Sequence, residues 1–401
     1  MAGGGNSEAV ARAAAPLGFA LLGVAEAGPV DERDAAALRE LLDRGGQGDM
    51  TFLADALAAR LDPCKLLPGA RSIIVVADEH AYRHGAPGAT PHPHPATRLT
   101  GRIARYAWGD DYHRVVKQRL HRLADDLRVR WPGHDFRSCV DTAPVMERPH
   151  AARAGLGFIG KHTLLIHPTR GSWLLLGLIV TTLPLEPSTP LNTSDSIRGR
   201  GCGTCTRCID ACPTRAIAPQ GYAIEPTRCI SYLTIEHRGR IDESLQLSMG
   251  DWVAGCDVCQ EVCPFNAGGV EGSGVRVQGE DADAERGRAS HPEPRTPNPE
   301  PSPRYAARFP APATPLAELL QWTVADRRRA FTRSALKRIK LDQLLRNALI
   351  AAGNCVAREP GHPDAAVLRR RIEEMASDAS QPPLVRETAV QVAARLPAVQ
   401  A

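Results

Sequence analysis

Eight of the eleven cysteines fall within one window of the chain, and their spacing specifies a redox chemistry. The window reads Cys202-x2-Cys205-x2-Cys208-x3-Cys212-Pro213, then Cys229, then Cys256-x2-Cys259-x3-Cys263-Pro264. In the bacterial ferredoxin spacing, three closely placed thiolates grip three irons of a 4Fe–4S cube, and the fourth cysteine, ahead of a proline, reaches to a second cube. The second group is one cysteine short, and Cys229 between the groups makes up the deficit. The crossed arrangement assigns Cys202, Cys205, Cys208 and Cys263 to one cluster and Cys212, Cys229, Cys256 and Cys259 to the other. A pair of zinc ribbons uses C-x2-C pairs and calls for neither the triple run nor the two Cys-Pro endings. Two 4Fe–4S clusters mean a protein that moves electrons one at a time.

Other candidates lie upstream. Asp141, in Asp141-Thr142-Ala143-Pro144-Val145, follows a strand-like run and precedes a helical one. It reads either as a helix N-cap or as a general acid, whose pKa a semi-buried pocket would raise. The run Arg105 to His113 holds Tyr106, Trp108, Tyr112 and His113 ahead of a helix. It is either surface decoration or a ligand-lining loop. Gly155-x-Gly157-x2-Gly160 imitates a dinucleotide fingerprint, and Gly155-x4-Gly160-Lys161 imitates a phosphate loop. Both need a strand before and a helix after, whereas here helical sequence precedes and Thr163–Ile166 is strand-like. The glycines then let the backbone approach another strand or a flat cofactor. His80, His84, His92 and His94 lie in a Gly/Pro-rich stretch without a thiolate companion and read as loop histidines.

The chain that must position these groups has 401 residues, 43% hydrophobic, with a net charge of +4. It can bury a large core in two or three domains, and any nucleic-acid footprint must be local. Thiolate clusters belong in a reducing compartment, which implies the cytoplasm. Ala13–Ala25 is apolar, but Pro16 and Gly18 break it, so a helix capped by Ser7 and a strand Phe19–Val24 explain it better than a signal segment. No run reaches the roughly 20 apolar residues of a membrane span.

Residues 1–195 read as an α+β unit with strands at Ser72–Ala77, Phe136–Val140 and Leu174–Leu183 and helices at Ala35–Leu42, Tyr112–Leu127 and Met146–Ala154. Residues 196–268 form the cluster module and 269–315 a Pro/Gly-rich linker that cannot bury enough apolar surface to fold. From 316 to 401 the helical spacing returns, over Leu316–Ala325, Leu336–Ala352, Ala365–Ala376 and Leu384–Leu396, reading as short HEAT-like helix pairs. Residues 316–346 carry eight basic side chains (Arg327, Arg328, Arg329, Arg333, Lys337, Arg338, Lys340, Arg346) against Glu318, Asp326 and Asp342. That stripe suits either phosphate contacts or a solvated face.

Taken together, the stretches "RLDPCKLLPGARSIIV" at 60–75, "GRIARYAWGDDYH" at 101–113, "DTAPVMERPHAARAGLGFIGKHTLLIHPTRGSWLLLGLIVT" at 141–181, the eight-cysteine module and "RNALIAAGN" resemble the epoxyqueuosine reductases, cobalamin-dependent enzymes that complete queuosine in tRNA. The resemblance implies a nitroreductase-like cobalamin-binding domain, a ferredoxin-like two-cluster module and a HEAT-like helical region that binds the tRNA anticodon stem-loop. It implies that Asp141 is the proton donor and that Arg60, Tyr106, Asp141, Lys161 and Ser172 line the cobalamin pocket. An external electron donor and a monomeric protein are expected with it. A reductive dehalogenase would share both cofactors, but the basic tail and the absence of a twin-arginine signal count against it. A ferredoxin-like carrier without catalysis leaves the glycine-loop domain unexplained.

Overall fold

The computed structural model describes residues 3–81, 98–190, 201–266, 303–308 and 313–397. The expected loop histidines His84, His92 and His94 lie outside the described residues, as does most of the expected linker. The fold is α+β.

Nine strands occur among the described residues: β1 (Leu21–Glu26), β2 (Ser72–Glu79), β3 (Thr100–Ile103), β4 (Phe136–Cys139), β5 (Phe158–Ile159), β6 (Leu165–Ile166), β7 (Leu174–Thr181), β8 (Trp252–Ala254) and β9 (Ala313–Pro315). The main sheet has the order β1-β2-β7-β4, antiparallel throughout, with Val75 opposite Leu178 at its centre. An antiparallel sheet with one wet face alternates apolar and polar residues, but β2 and β7 read as continuous apolar runs because both faces are covered. Ile74, Val76 and Ile179 pack under the helices Gly3–Ala14 and Tyr112–Arg130, with Val10, Leu120 and Leu127. Ile73, Val75 and Val180 pack on the other face with Ala151 of the helix Glu147–Arg153.

A second core joins the remaining parts. Ile230, Leu233 and Val253 of the cluster region pack with Leu316, Leu349, Ile372 and Val392 from the helices Leu316–Leu319, Leu341–Arg358, Pro363–Ser377 and Pro383–Ala394. β3 stitches the chain together by pairing parallel with β8 and antiparallel with β9. Arg346 is fully buried in this core, donating to the carbonyls of His237 (2.9 Å) and Gly239 (2.6 Å), while Asn347 donates to those of Thr234 and Val253. Arg346 therefore cannot serve the phosphate stripe expected of it.

Several expectations change. Ser7 lies inside the first helix and donates to the carbonyl of Glu186, so it is no cap. The expected helix Leu316–Ala325 is interrupted, because Thr323 and Asp326 form a reciprocal capping box that starts a new helix, Val324–Phe331. The expected helix Leu336–Ala352 is also divided: a single turn at Ala335–Arg338 precedes Leu341–Arg358. The expected linker 269–315 contains ordered structure at its end. Tyr305 is buried and donates to Asp78 Oδ2 at 2.8 Å, and Ala313–Pro315 is β9. One aromatic and a strand edge are enough to anchor a segment whose composition argues against folding.

Candidate active site

Asp141 sits where the chain leaves β4 and turns toward the helix Glu147–Arg153. Its φ of 39° is positive, a strained conformation for a non-glycine residue. The turn is held by the Asp141 N–H, which donates to Glu147 Oε1 at 2.7 Å. The following helix begins after Met146 without a side-chain cap, so the N-cap reading of Asp141 fails. Its carboxylate instead meets His113, with Oδ2 and Nε2 2.7 Å apart. The other ring nitrogen of His113 lies 2.7 Å from Asp111 Oδ1, and Tyr112 stacks on the imidazole at 4.0 Å. Asp111 caps the helix Tyr112–Arg130 through the His113 N–H and binds Lys337 Nζ at 2.8 Å.

This arrangement reverses the protonation expected of Asp141. Burial pushes its carboxyl up, but the His113 hydrogen bond and the charges of His113 and Arg338 outweigh it and hold it below the usual carboxylate range. Burial opposes the His113 imidazolium, yet the two carboxylates raise it to about 9. Burial, aided by the charge of Asp141, pushes the Glu147 carboxyl up to about 8. At neutral pH the protons therefore reside on His113 and Glu147, with Asp141 ionised between them.

Two cavities meet at Asp141, Arg148 and Glu236. The 42% exposure of the Asp141 side chain is exposure to these cavities. The inner one, about 500 Å³, runs from Asp141 past Tyr106 and Ser172 to Cys212, Cys229, Cys256 and Cys259. Leu164, Leu174, Leu176 and Ile230 give it apolar walls. Two buried imidazole nitrogens on its lining, His80 Nδ1 and His162 Nε2, have no hydrogen-bond partner among the described residues. Burial and nearby arginines push these rings down to about 3 and about 4, so both are neutral and each offers a donor or acceptor. The outer cavity, about 760 Å³, is lined by Phe52, Arg60, Glu147 and Arg338.

Of the residues expected to line the cobalamin pocket, Tyr106, Asp141 and Ser172 face the inner cavity and Arg60 the outer one. Ser172 also ties the cluster region to the first sheet, through Gln260 (3.0 Å) and Asn266 (2.9 Å). Lys161 is elsewhere: its ammonium donates to the carbonyls of Gly203 and Cys205, and its backbone N–H to Cys202 Sγ at 3.3 Å. The glycine loop before it is preceded by a helix and folds into the β5–β6 hairpin, as its flanks predict. Gly155 approaches the carbonyl of Thr189 so closely that a Cβ would lie 2.6 Å from it, so the close partner is other backbone. Trp108 faces inward, donating to the Ile103 carbonyl at 2.7 Å. Sequence motifs alone did not single out Glu147 or Glu236 as site residues, while Asp111 and His113 were read within the candidate ligand-lining loop and Arg338 within the basic stripe.

The cysteines feel one another across the module, Cys259 being raised by burial and by Cys229, Cys208 and Cys212. Burial pushes the Cys263 thiol up to about 12, with Cys202, Cys208 and Cys205 adding to the effect. Cys229 is raised by burial and by Cys212, and Cys256 by burial and by Cys259 and Cys229. Amide N–H groups point at two of the sulfurs, from Lys161 to Cys202 and from Ala216 to Cys212 at 3.2 Å.

Known proteins share two regions of this chain. Residues 60–142 match a family model described as "Epoxyqueuosine reductase QueG, DUF1730", and residues 201–266 match a "4Fe-4S double cluster binding domain". An epoxyqueuosine reductase of Synechococcus sp. (strain CC9605) is 41% identical over 264 residues, covering 65% of this chain and 76% of that protein. The chain belongs to the epoxyqueuosine reductase family. Among solved structures, an epoxyqueuosine reductase with a tRNA-Tyr epoxyqueuosine-modified stem loop has 26% identity and a TM-score of 0.74, over 97% of this chain and 89% of that one. The epoxyqueuosine reductase of Bacillus subtilis, with its catalytic aspartate loop swung out of the active site, has 26% identity and a TM-score of 0.73 over the same shares. This member of the epoxyqueuosine reductase family carries a double 4Fe–4S binding region, and no helix among its described residues is long and apolar enough to cross a membrane.

Proposed function

We propose that this chain reduces the epoxide of epoxyqueuosine in tRNA to the alkene of queuosine, with Asp141 delivering a proton to the oxygen as it leaves carbon. The observation that carries the reading is Asp141 itself, held in a strained turn at the junction of two cavities, one leading to four cysteines and the other to the surface. The family relationship and the aspartate loop of the Bacillus subtilis enzyme support it. The lining of the inner cavity suits part of cobalamin, because its apolar walls match a corrin and the unpartnered nitrogens of His80 and His162 match the corrin's peripheral amides. When bound there, cobalamin supplies the low-potential reduction that the protein's own side chains cannot. Tyr106, Ser172 and Arg148 would hold it, and the outer cavity with Arg60, Phe52 and Arg338 would take the modified base.

Within this reading the ligand sets are Cys202, Cys205, Cys208 and Cys263 for one cluster and Cys212, Cys229, Cys256 and Cys259 for the other, supported by the influence of Cys202, Cys205 and Cys208 on Cys263 and of Cys212 on Cys229. Cys212, Cys229, Cys256 and Cys259 line the inner cavity, so their cluster would pass electrons onward from an external donor. We read residues 1–195 as nitroreductase-like, 196–268 as the cluster module and 316–401 as HEAT-like pairs facing the tRNA anticodon stem-loop, in a monomeric cytoplasmic enzyme. The deciding experiment loads the protein with iron, sulfide and cobalamin, supplies a strong one-electron reductant and epoxyqueuosine tRNA, and identifies the nucleosides by mass. Queuosine is the expected product. Unchanged epoxyqueuosine with both cofactors bound overturns the assignment.

A further inference from the structure

Converting an epoxide to an alkene breaks both C–O bonds, forms one C=C π bond and releases the oxygen as water. It consumes two electrons, here from an external one-electron reductant through the clusters, and two protons. Asp141 is ionised at neutral pH, so each proton it delivers must first reach it from a store within hydrogen-bond distance. We propose that His113 is that store: its imidazolium passes a proton to the Asp141 carboxylate for each C–O cleavage and regains one from solvent between them, with Asp111 and Lys337 fixing its position and charge. The inference rests on the reading of Asp141 as the group at the reacting oxygen.

The geometry carries it. His113 bridges two carboxylates at 2.7 Å on either side, so both nitrogens are committed and the ring cannot turn away. Tyr112 stacked at 4.0 Å fixes its plane. The side chain is 21% exposed, enough for solvent to reload it between the two transfers. Charged groups face it from three elements: Asp111 at its own helix start, Asp141 and Glu147 from the turn after β4, and Lys337 with Arg338 from the turn Ala335–Arg338. Its imidazolium, raised to about 9, keeps the proton at neutral pH and loses it as pH rises through that value. As a positioning and proton-holding residue, His113 acts on substrate only through Asp141.

The test measures kcat and KM against pH on the full, cofactor-loaded protein with an epoxyqueuosine stem-loop and saturating reductant. His113→Gln keeps two hydrogen-bonding atoms but cannot store a proton. Its kcat is expected to fall about 10²-fold, with KM, iron and corrin contents near the parent's. Lys337→Met is a surface change, since that side chain is 62% exposed. It removes the cation that neutralises Asp111, and the alkaline limb of kcat should move to higher pH. Glu147 also titrates near this range, but Lys337 contacts Asp111, so a shift in this variant reports on His113. A parent-like kcat in His113→Gln, or an alkaline limb unmoved in Lys337→Met, overturns the proposal, and the second decides if the first variant fails to fold. Asp141→Asn separates the two layers. If it is inactive while His113→Gln is parent-like, only the His113 role is lost, whereas an active Asp141→Asn removes the reading on which both rest.

Discussion

At the scale of single residues, Asp141 joins backbone strain, a charged partner and two cavities in one position. Asp141→Asn preserves the shape of the turn and the contact to His113 but removes the group that relays the proton. Turnover should fall about 10²–10⁴-fold while iron content, corrin absorbance and stem-loop affinity stay near the parent's. Near-parent conversion would transfer the role to another donor. The place of Asp141 between a strand and a helix ahead of a glycine loop was legible in sequence. Its protonation was not. Burial alone argued for a raised pKa, and the lowering comes from His113, twenty-eight residues earlier, placed there by the packing of its helix on the sheet. Glu236 was equally out of reach, and Arg338, read in sequence as part of the basic stripe, lines the outer cavity beside it.

At the scale of elements, the cysteine module was the most legible part, since ligand spacing is local information. Cys229 tests the less local portion. Cys229→Ala should remove one cube and keep the other, roughly halving iron and acid-labile sulfide, and unchanged iron would exclude it as a ligand. The basic stripe behaves differently from its sequence count. Arg346 is buried, and Arg327 spends its guanidinium on the carbonyls of Ile339 and Lys337, whereas Arg328, Arg329 and Lys340 are exposed. Neutralising Arg328, Arg329 and Lys340 should weaken stem-loop binding and flatten the slope of log affinity against log salt by up to about 0.7–0.9 for each phosphate no longer neutralised. A slope equal to the parent's would place the RNA elsewhere. Composition predicted a +5 face, and packing decided which charges reach solvent. Capping chemistry was readable but unread, since Thr323-Val324-Ala325-Asp326 announces a helix start inside what periodicity alone merged into one element.

At the scale of the whole molecule, periodicity found the sheet strands and the long helices, but nothing local announced the β8-β3-β9 sheet, whose three strands come from distant parts of the chain. That sheet and the shared second core make the cluster region and the C-terminal helices one packed body with β3. The anchors at either side of the proline-rich stretch have a further consequence. Asn266 is buried against Ser172 and Tyr305 is buried against Asp78, so the ends of the intervening chain are fixed independently of its length. The conformational cost of closing a flexible span grows only logarithmically, so doubling it costs about 0.6 kcal/mol. A flexible segment of equal length inserted near Gly279 should therefore leave the midpoint of urea unfolding and the cofactor content close to the parent's. A large loss of stability would show that this stretch packs against the body. If it is tolerated, natural variants are free to differ there in size, and the position offers a site for an affinity tag or a fluorophore.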